Sequence, residues 1–128
     1  MPHLNFMLRA EIQRPLMTCG NARRFLSKAI TACGMNIING PHAVQGTVSG
    51  NEGVSGSAIL DFSHAALHEW PWWKPAVLRL DIYTCGAIVP TVELISPLLK
   101  PLRATRISTM LVDCEAMDVL STTDEWVP

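Results

Sequence analysis

The stretch that decides the fold runs over residues 53–71 and reads Gly53-Val-Ser-Gly-Ser-Ala-Ile-Leu-Asp-Phe-Ser-His-Ala-Ala-Leu-His-Glu-Trp-Pro71. The region continues at residues 80–86, which read Leu80-Asp-Ile-Tyr-Thr-Cys-Gly86. Apolar residues recur here between turn formers, which predicts three neighbouring strands. These strands are expected at 54–61, 64–70 and 76–84. The intervening sequence Pro71-Trp-Trp-Lys-Pro75 predicts a hairpin connection between the last two strands.

On either side of this stretch, the hydrophobic pattern predicts further strands and two helices. Residues 4–12 alternate between apolar and mostly polar types, which predicts a half-buried strand. Residues 21–33 place apolar side chains at helical spacing, and Gly34 follows as a suitable left-handed cap. The other expected elements are a short strand at 35–38 that Gly40-Pro41 ends, a loop at 45–53, a helix at 91–100 that Pro97 kinks or shortens, a strand at 105–112, and a loose tail or partner contact at 115–128.

The predicted order β-α-β-β-β-β-α-β indicates an α+β protein. We expect a two-layer α/β sandwich, with a largely antiparallel sheet and two helices on one face. The chain, residues 1–128, is expected to form one domain, with its core at about 4–113 and a tail at 114–128. Because a two-layer sandwich leaves one face of the sheet bare, we also expect a homo-oligomer.

The composition excludes several classes of function. With 128 residues, 48% of them hydrophobic, the chain can fill a core, and its net charge of −1 offers no basic surface to nucleic acid. No apolar run reaches the roughly 18 residues of a membrane helix, and the basic-then-apolar pattern of a signal peptide is missing, so we expect a cytoplasmic protein. The four cysteines form no C-x-x-C pair, so no metal site is expected.

The central stretch also concentrates side chains that can act as nucleophile, base and proton donor. A serine hydroxyl can add to the preceding peptide carbonyl where the backbone is strained and the oxyanion is stabilised. Elimination of the resulting ester cuts the chain and leaves an N-terminal pyruvoyl group, an electron sink comparable to pyridoxal phosphate. This chemistry needs a serine, an oxyanion donor, a base and a proton donor. They are supplied, in that order of role, by Ser63, Ser55, His68 and Cys85.

These residues stand in four spaced motifs: Val54-Ser55-Gly56, Phe62-Ser63-His64, His68-Glu69-Trp70-Pro71-Trp72 and Asp81-Ile82-Tyr83-Thr84-Cys85-Gly86. Over roughly residues 5–112 the sequence resembles the bacterial and archaeal S-adenosylmethionine decarboxylase family, a short-chain class that depends on a pyruvoyl group. The resemblance implies that Ser63 is the precursor of the pyruvoyl group. It further implies that Ser55 and His68 assist processing, that Cys85 donates the product proton, and that Trp70 lies near an adenine pocket.

The sequence departs from the family pattern at several positions. Phe62 precedes the serine where the family usually has Glu, and residues 49–53 lack the aromatic side chain expected against adenine. Trp72 replaces a carboxylate that would bind ribose hydroxyls, and Glu69 is a candidate to supply that carboxylate instead. The predicted substrate-binding residues are therefore Trp70, Glu69 and His64.

Three functions follow from this pattern. The first is a pyruvoyl-dependent decarboxylase of S-adenosylmethionine that cuts itself between Phe62 and Ser63 and supplies spermidine synthesis. The second is a relative with the same self-made cofactor that decarboxylates arginine or ornithine, since the positions that would recognise a nucleoside have changed. The third is an uncut relative that binds or degrades S-adenosylmethionine without a pyruvoyl group. The first two hypotheses take a small-molecule substrate, and the third relative binds either S-adenosylmethionine or a partner subunit.

Overall fold

The computed structural model describes residues 3–86 and 88–127, which fold into a layer of two helices against one sheet. The elements are β1 (Leu4–Ile12), α1 (Cys19–Ala32), β2 (Ile37–Gly46), β3 (Gly53–Leu60), β4 (Ser63–Trp70), β5 (Ala76–Thr84), α2 (Val92–Leu99), β6 (Ala104–Asp113) and β7 (Asp118–Trp126). The described strands lie in the order β2-β3-β4-β5-β1-β6-β7, and every neighbouring pair is antiparallel. The predicted α+β sandwich is confirmed, with one strand more than the sequence indicated.

Strand β1, which lies between β5 and β6, shows why one face of the sheet is covered. Its alternate residues Leu4, Phe6, Leu8, Ala10 and Ile12 are at most 4% exposed. They pack in one hydrophobic cluster with buried residues of both helices. Because both helices bury their apolar stripes in this one cluster, they lie on the same face of the sheet, as predicted.

Helix α1 begins and ends close to the predicted positions. Thr18 caps its start, since the hydroxyl accepts a hydrogen bond from the backbone N–H of Asn21 at 3.1 Å. Gly34 follows the helix with a φ of 71°, which glycine adopts without a steric penalty. Helix α2 is short, as expected, with eight residues that include Pro97.

Strand β2 corrects the predictions for 35–38 and 45–53. It runs from Ile37 to Gly46 and continues through Gly40-Pro41 instead of ending there. The pairing with β3 shifts register on both sides of Asn39, and Gly40 has a φ of 104°. An irregular edge strand accepts proline because the missing N–H is not needed for pairing on its outer side.

Strand β7 corrects the prediction of a loose tail at 114–128. Residues Asp118–Trp126 pair antiparallel with β6 along most of its length. The guanidinium of Arg106 binds both carboxylate oxygens of Asp124, at 3.0 and 2.8 Å, and stacks over the ring of Trp126 at 4.7 Å. Cross-strand contacts and backbone pairing therefore hold this segment, although its side chains are largely exposed.

The sheet face opposite the helices is covered by neither of them, and we call it the open face. The pairing registers align one row of side chains across this face: Val44, Ser55, His68, Arg79, Arg9, Ser108 and Asp124. None of the helices in the described part of the chain has the length and apolar character of a membrane span.

Candidate active site

The first cluster of the site lies at the start of β4. Ser63 is the first residue of the strand and is only 9% exposed. Its hydroxyl oxygen lies 3.9 Å from the sulfur of Cys85, which follows β5. The same thiol donates a hydrogen bond to the carbonyl oxygen of Phe62 at 3.3 Å. Cys85 therefore contacts both the hydroxyl and the carbonyl that self-cleavage would join.

The backbone is strained at the same point. Phe62 has a φ of 56°, in the left-handed region, although it is not glycine. Such a conformation costs an L-residue roughly 1–2 kcal/mol. It places the strain at the residue whose carbonyl precedes Ser63, and the Phe62 side chain remains 89% exposed. A carbonyl that follows a strained backbone and accepts a hydrogen bond from a thiol is suited to attack by the neighbouring serine hydroxyl.

The second cluster lies on the open face. Ser55 on β3 pairs directly with His68 on β4, and the serine hydroxyl lies 2.8 Å from Nδ1 of the imidazole. This arrangement orients the ring and leaves Nε2 as the remaining nitrogen for proton transfer. The order of residues in the sequence does not predict the contact between Ser55 and His68. The register of the β3–β4 hairpin places the two residues opposite each other.

The structure does not bring the two clusters together within one chain. His68 lies five residues beyond Ser63 on β4, which is roughly 16 Å along an extended strand. Moreover, Ser63 has the side-chain direction of the buried residues of β4, whereas His68 has that of the exposed ones. The imidazole of His68 cannot reach the Ser63 hydroxyl of its own chain at this distance.

His64 lies on the open face and stacks on Tyr83, with ring centroids 5.2 Å apart and planes 4° apart. The hydroxyl of Tyr83 in turn bonds Nδ1 of His3 at 2.8 Å. The ring of His64 is thus held by Tyr83, which lies on the neighbouring strand β5. The predicted contact of His64 with a substrate stays a prediction.

Glu69 corrects one predicted substrate contact. The residue is 2% exposed, and its carboxylate accepts hydrogen bonds from the backbone N–H groups of Leu16 at 2.7 Å and Met17 at 3.0 Å. Burial raises the pKa of Glu69, while these two hydrogen bonds lower it. Both carboxylate oxygens are therefore used to hold the connection between β1 and α1, so Glu69 does not replace the missing ribose ligand.

Trp70 lies at the end of β4 in an aromatic stack that the sequence did not reveal. Its ring stacks on Trp73, with centroids 5.0 Å apart, and its other neighbour is His68 at 6.1 Å. The indole N–H of Trp70 donates to Oδ1 of Asn51 at 3.2 Å, and that of Trp73 donates to the carbonyl of Gly50 at 3.0 Å. The two rings thereby fix the loop between β2 and β3. The sequence signal that points to this stack is the dipeptide Trp72-Trp73, which stands between Pro71 and Pro75 shortly after Trp70.

The described residues offer no obvious place for a metal ion. Across 3–86 and 88–127, no three His, Cys, Asp or Glu side chains are grouped closely enough to hold one. The chemistry of this site is that of a serine, a thiol, a strained carbonyl and an imidazole.

Comparison with known proteins agrees with the sequence motifs. The family model described as S-adenosylmethionine decarboxylase matches residues 13–114. An S-adenosylmethionine decarboxylase proenzyme of Methanococcus maripaludis is 32% identical over 87 residues, which are 68% of this chain and 66% of that protein. The proenzyme of Acidithiobacillus ferrooxidans is 34% identical over 68 residues, 53% of this chain and 50% of that protein. The chain thus matches these relatives over two thirds of their length or less.

Among solved structures, the Trypanosoma brucei AdoMetDC-delta26 monomer is similar, with a TM-score of 0.56 and 16% sequence identity. The match covers 86% of this chain and 45% of the trypanosomal chain. At this identity the likeness concerns the fold, and it supports the arrangement of the sheet and helices described above.

Proposed function

Because the chain belongs to the S-adenosylmethionine decarboxylase family, we propose that it is a pyruvoyl-dependent decarboxylase of S-adenosylmethionine that cuts itself between Phe62 and Ser63. Its product would supply the aminopropyl group for spermidine synthesis. The observation that carries this proposal is the contact of one thiol, that of Cys85, with both the Ser63 hydroxyl and the Phe62 carbonyl oxygen.

The cut begins with addition of the Ser63 hydroxyl to the Phe62 carbonyl carbon. The S–H group of Cys85 donates a hydrogen bond to the Phe62 carbonyl oxygen and stabilises the negative charge that develops there. Breakage of the C–N bond gives an ester and frees the amino group of Ser63. Removal of the Ser63 α-proton then expels the Phe62 carboxylate, and hydrolysis with loss of ammonia leaves the pyruvoyl group at position 63. The left-handed backbone of Phe62 raises the starting free energy of the first step.

A base for these proton transfers has to come from outside the Ser63 cluster. The Ser55–His68 pair has the right chemistry but lies roughly 16 Å away along β4 in its own chain. Ser63 directly follows the exposed tip of the β3–β4 hairpin, so a second copy that docks at this tip can bring its own Ser55–His68 pair to it, and the two-fold symmetry makes the contact twice. We therefore infer a homodimer in which each site takes Ser63 and Cys85 from one chain and Ser55 and His68 from its partner.

Once formed, the pyruvoyl group would supply the electron sink for decarboxylation. Cys85 remains beside position 63 and can hold the proton that the product carbon needs. His64, Trp70 and the exposed side chains of the open face are the residues available to the substrate. A cytoplasmic location stays a prediction of the sequence.

A second candidate substrate is arginine or ornithine. It is favoured by the stack of Trp73 on Trp70, which covers one face of the ring predicted to lie near adenine. In addition, the loop at 47–52 contains no aromatic residue to stack on the other side of a purine. Both features reduce the surface that would recognise a nucleoside, but neither alters the Ser63 cluster.

A denaturing mass spectrum of the purified protein tests the proposal. We expect two pieces, residues 1–62 and 63–128, the second with a carbonyl that borohydride reduces. The Ser63→Ala variant should give one uncut chain, whereas Ser121→Ala, an exposed serine on β7, should be cut normally. Carbon dioxide release from S-adenosylmethionine, arginine and ornithine then separates the two candidates. An uncut wild-type chain that is still active would contradict both and favour a relative without a pyruvoyl group.

A further inference from the structure

The exposed ring of Phe62 is the largest apolar feature next to the site of self-cleavage. Its side chain is 89% exposed, the highest value among the large hydrophobic residues described. Exposure of a phenylalanine to water is unfavourable, so burial of this ring against another molecule would stabilise the contact. Its left-handed backbone, with a φ of 56°, holds the residue at the tip of the β3–β4 hairpin.

The open face carries a depression of about 200 Å³ that fits this ring. Its lining is mixed: Ala43, Val44, Gly56 and Ala66 are apolar, and His42, Ser55, Ser57 and His68 are polar. An apolar cavity of about 150 Å³ is large enough for one benzene ring. The depression therefore has room for a single aromatic side chain, and no residue in the described part of its own chain fills it.

The depression and the proton-transfer pair share two residues, Ser55 and His68. Consecutive Cα atoms lie about 3.8 Å apart, so a ring of Phe62 seated in this depression brings the backbone of Ser63 close to the same pair. We propose that Phe62 of each chain inserts into the depression of a second copy of this chain and thereby delivers Ser63 to the partner's Ser55–His68 pair. This inference rests on the dimer in the proposed function, and it assigns to Phe62 the role of anchor.

The contact is self-complementary, as a two-fold dimer requires. Each chain offers one ring at the hairpin tip and one depression further along the same strands, so a two-fold axis between them makes both contacts at once. A buried aromatic anchor in a pocket near the centre of an interface typically dominates its binding energy. The family usually has glutamate at this position, so the anchoring ring is a departure of this chain from the family pattern.

The test measures self-association separately from cleavage. All proteins carry Ser63→Ala, which prevents the cut, and sedimentation equilibrium gives the dimer dissociation constant. We expect Phe62→Ala to raise this constant at least tenfold, because each dimer loses two anchors. The matched control is Met117→Ala, which removes another exposed apolar side chain, 78% exposed, at the β6–β7 turn, and it should leave the constant unchanged.

A second variant fills the depression instead of removing the ring. Ala66→Leu should weaken association as Phe62→Ala does, and the two changes together should cost no more than either alone, because both remove one contact. Normal association of either single variant would overturn the anchor. If the wild type is cut while Phe62→Ala dimerises normally, the anchor is wrong and the decarboxylase stands. If the wild type is uncut while Phe62→Ala dimerises weakly, the anchor stands and the decarboxylase is wrong.

Discussion

At the start of β4, Ser63 is 9% exposed and contacts the thiol of Cys85, whereas five residues later His68 lies on the open face and contacts the hydroxyl of Ser55. The first cluster holds a nucleophile and a strained carbonyl but no imidazole. The second holds an oriented imidazole but nothing for it to act on. The difference between them teaches that a chain can contain every group that a reaction needs and still lack a complete site.

The open face carries charged side chains as well as the second cluster. Its central row contains Arg9 and Arg79 on neighbouring strands, each beside a carboxylate of its own strand: Glu11 at 3.9 Å and Asp81 at 3.5 Å. Alternating charges of this kind match the same surface of a second copy turned through 180°. The open face thus carries both the second cluster and this alternating charge pattern.

The largest effect is expected when the imidazole is removed. His68→Ala should slow self-cleavage by about 100-fold or more, since a positioned general base contributes at least that factor. The fraction of cut chain, followed by denaturing mass spectrometry over time, measures the rate. His3→Ala is the control, because His3 contacts Tyr83 and not a serine. Normal cleavage of His68→Ala would show that the second cluster takes no part.

The thiol should have a smaller effect on cleavage, because S–H is a weak donor. We expect Cys85→Ala to slow the cut by about tenfold through loss of the hydrogen bond to Phe62. It should lower the decarboxylation rate as well, since the same thiol is the proposed proton donor. Cys114→Ala serves as the control. A Cys85→Ala protein that is cut and active at the wild-type rate would contradict the role given to the first cluster.

Glu69 allows folding to be tested apart from catalysis, since it directly follows His68 on β4 but has the side-chain direction of the buried residues that face the helices. Glu69→Ala should lower the free energy of unfolding by about 2 kcal/mol, because the buried N–H of Leu16 loses its acceptor. Glu93→Ala, on the exposed surface of α2, should cost less than about 1 kcal/mol. Urea unfolding of the Ser63→Ala background measures both. If Glu69→Ala and Glu93→Ala lose the same free energy of unfolding, the Glu69 carboxylate does not hold the β1–α1 connection.

The same carboxylate predicts a pH dependence. Burial raises the pKa of Glu69 above its ordinary value of 4.5, so the folded chain binds this proton more tightly than the unfolded chain does. Stability from this group is therefore complete below pH 4.5 and is lost as the pH rises through the raised pKa. Relative to Glu69→Gln, the wild-type free energy of unfolding should fall over that window. If the difference in free energy of unfolding between wild type and Glu69→Gln does not change with pH, the pKa of Glu69 is not raised.

The smallest effect is expected at Asp124, far from both clusters. Hydrogen bonds from Arg106 and Ser108 lower the pKa of Asp124 from 3.8 to about 2. The stabilisation is present above pH 3.8 and is lost as the pH falls through about 2, so wild type and Asp124→Asn should converge in melting temperature there. Because the pair is exposed, the difference at pH 7 should be small. Asp118→Asn, at the start of β7, is the control.

The sequence predicted the middle of the sheet well because those strands bury one face. Residues 4–12 and 76–84 alternate between buried and half-exposed positions, and this alternation gives a strand its recognisable period. Edge strands lack the signal. Nearly every residue of β7 is exposed, and β2 contains Gly40-Pro41, so their composition is typical of loops. Their backbone pairing, which the sequence does not display, makes them strands.

The candidate site was predictable in part. The motifs pointed to Ser63 and Cys85, and the structure places those two side chains in contact. The hydrogen-bond partners of Glu69 were not predictable, because Leu16 and Met17 lie more than 50 positions away and contribute only backbone N–H groups. The separation of His68 from Ser63 follows from strand spacing, but it becomes visible only when the register of β4 is known.

The proposed self-cleavage requires a site shared between two chains, and mixing two inactive variants tests this most directly. Ser63→Ala and His68→Ala chains, distinguished by mass, are co-expressed and examined by denaturing mass spectrometry. In a mixed dimer the Ser63 of the His68→Ala chain meets the intact His68 of its partner. We expect the His68→Ala chain to be cut in the mixture although it is cut slowly alone. If it remains as slow in the mixture as by itself, the two clusters do not complete each other across a dimer.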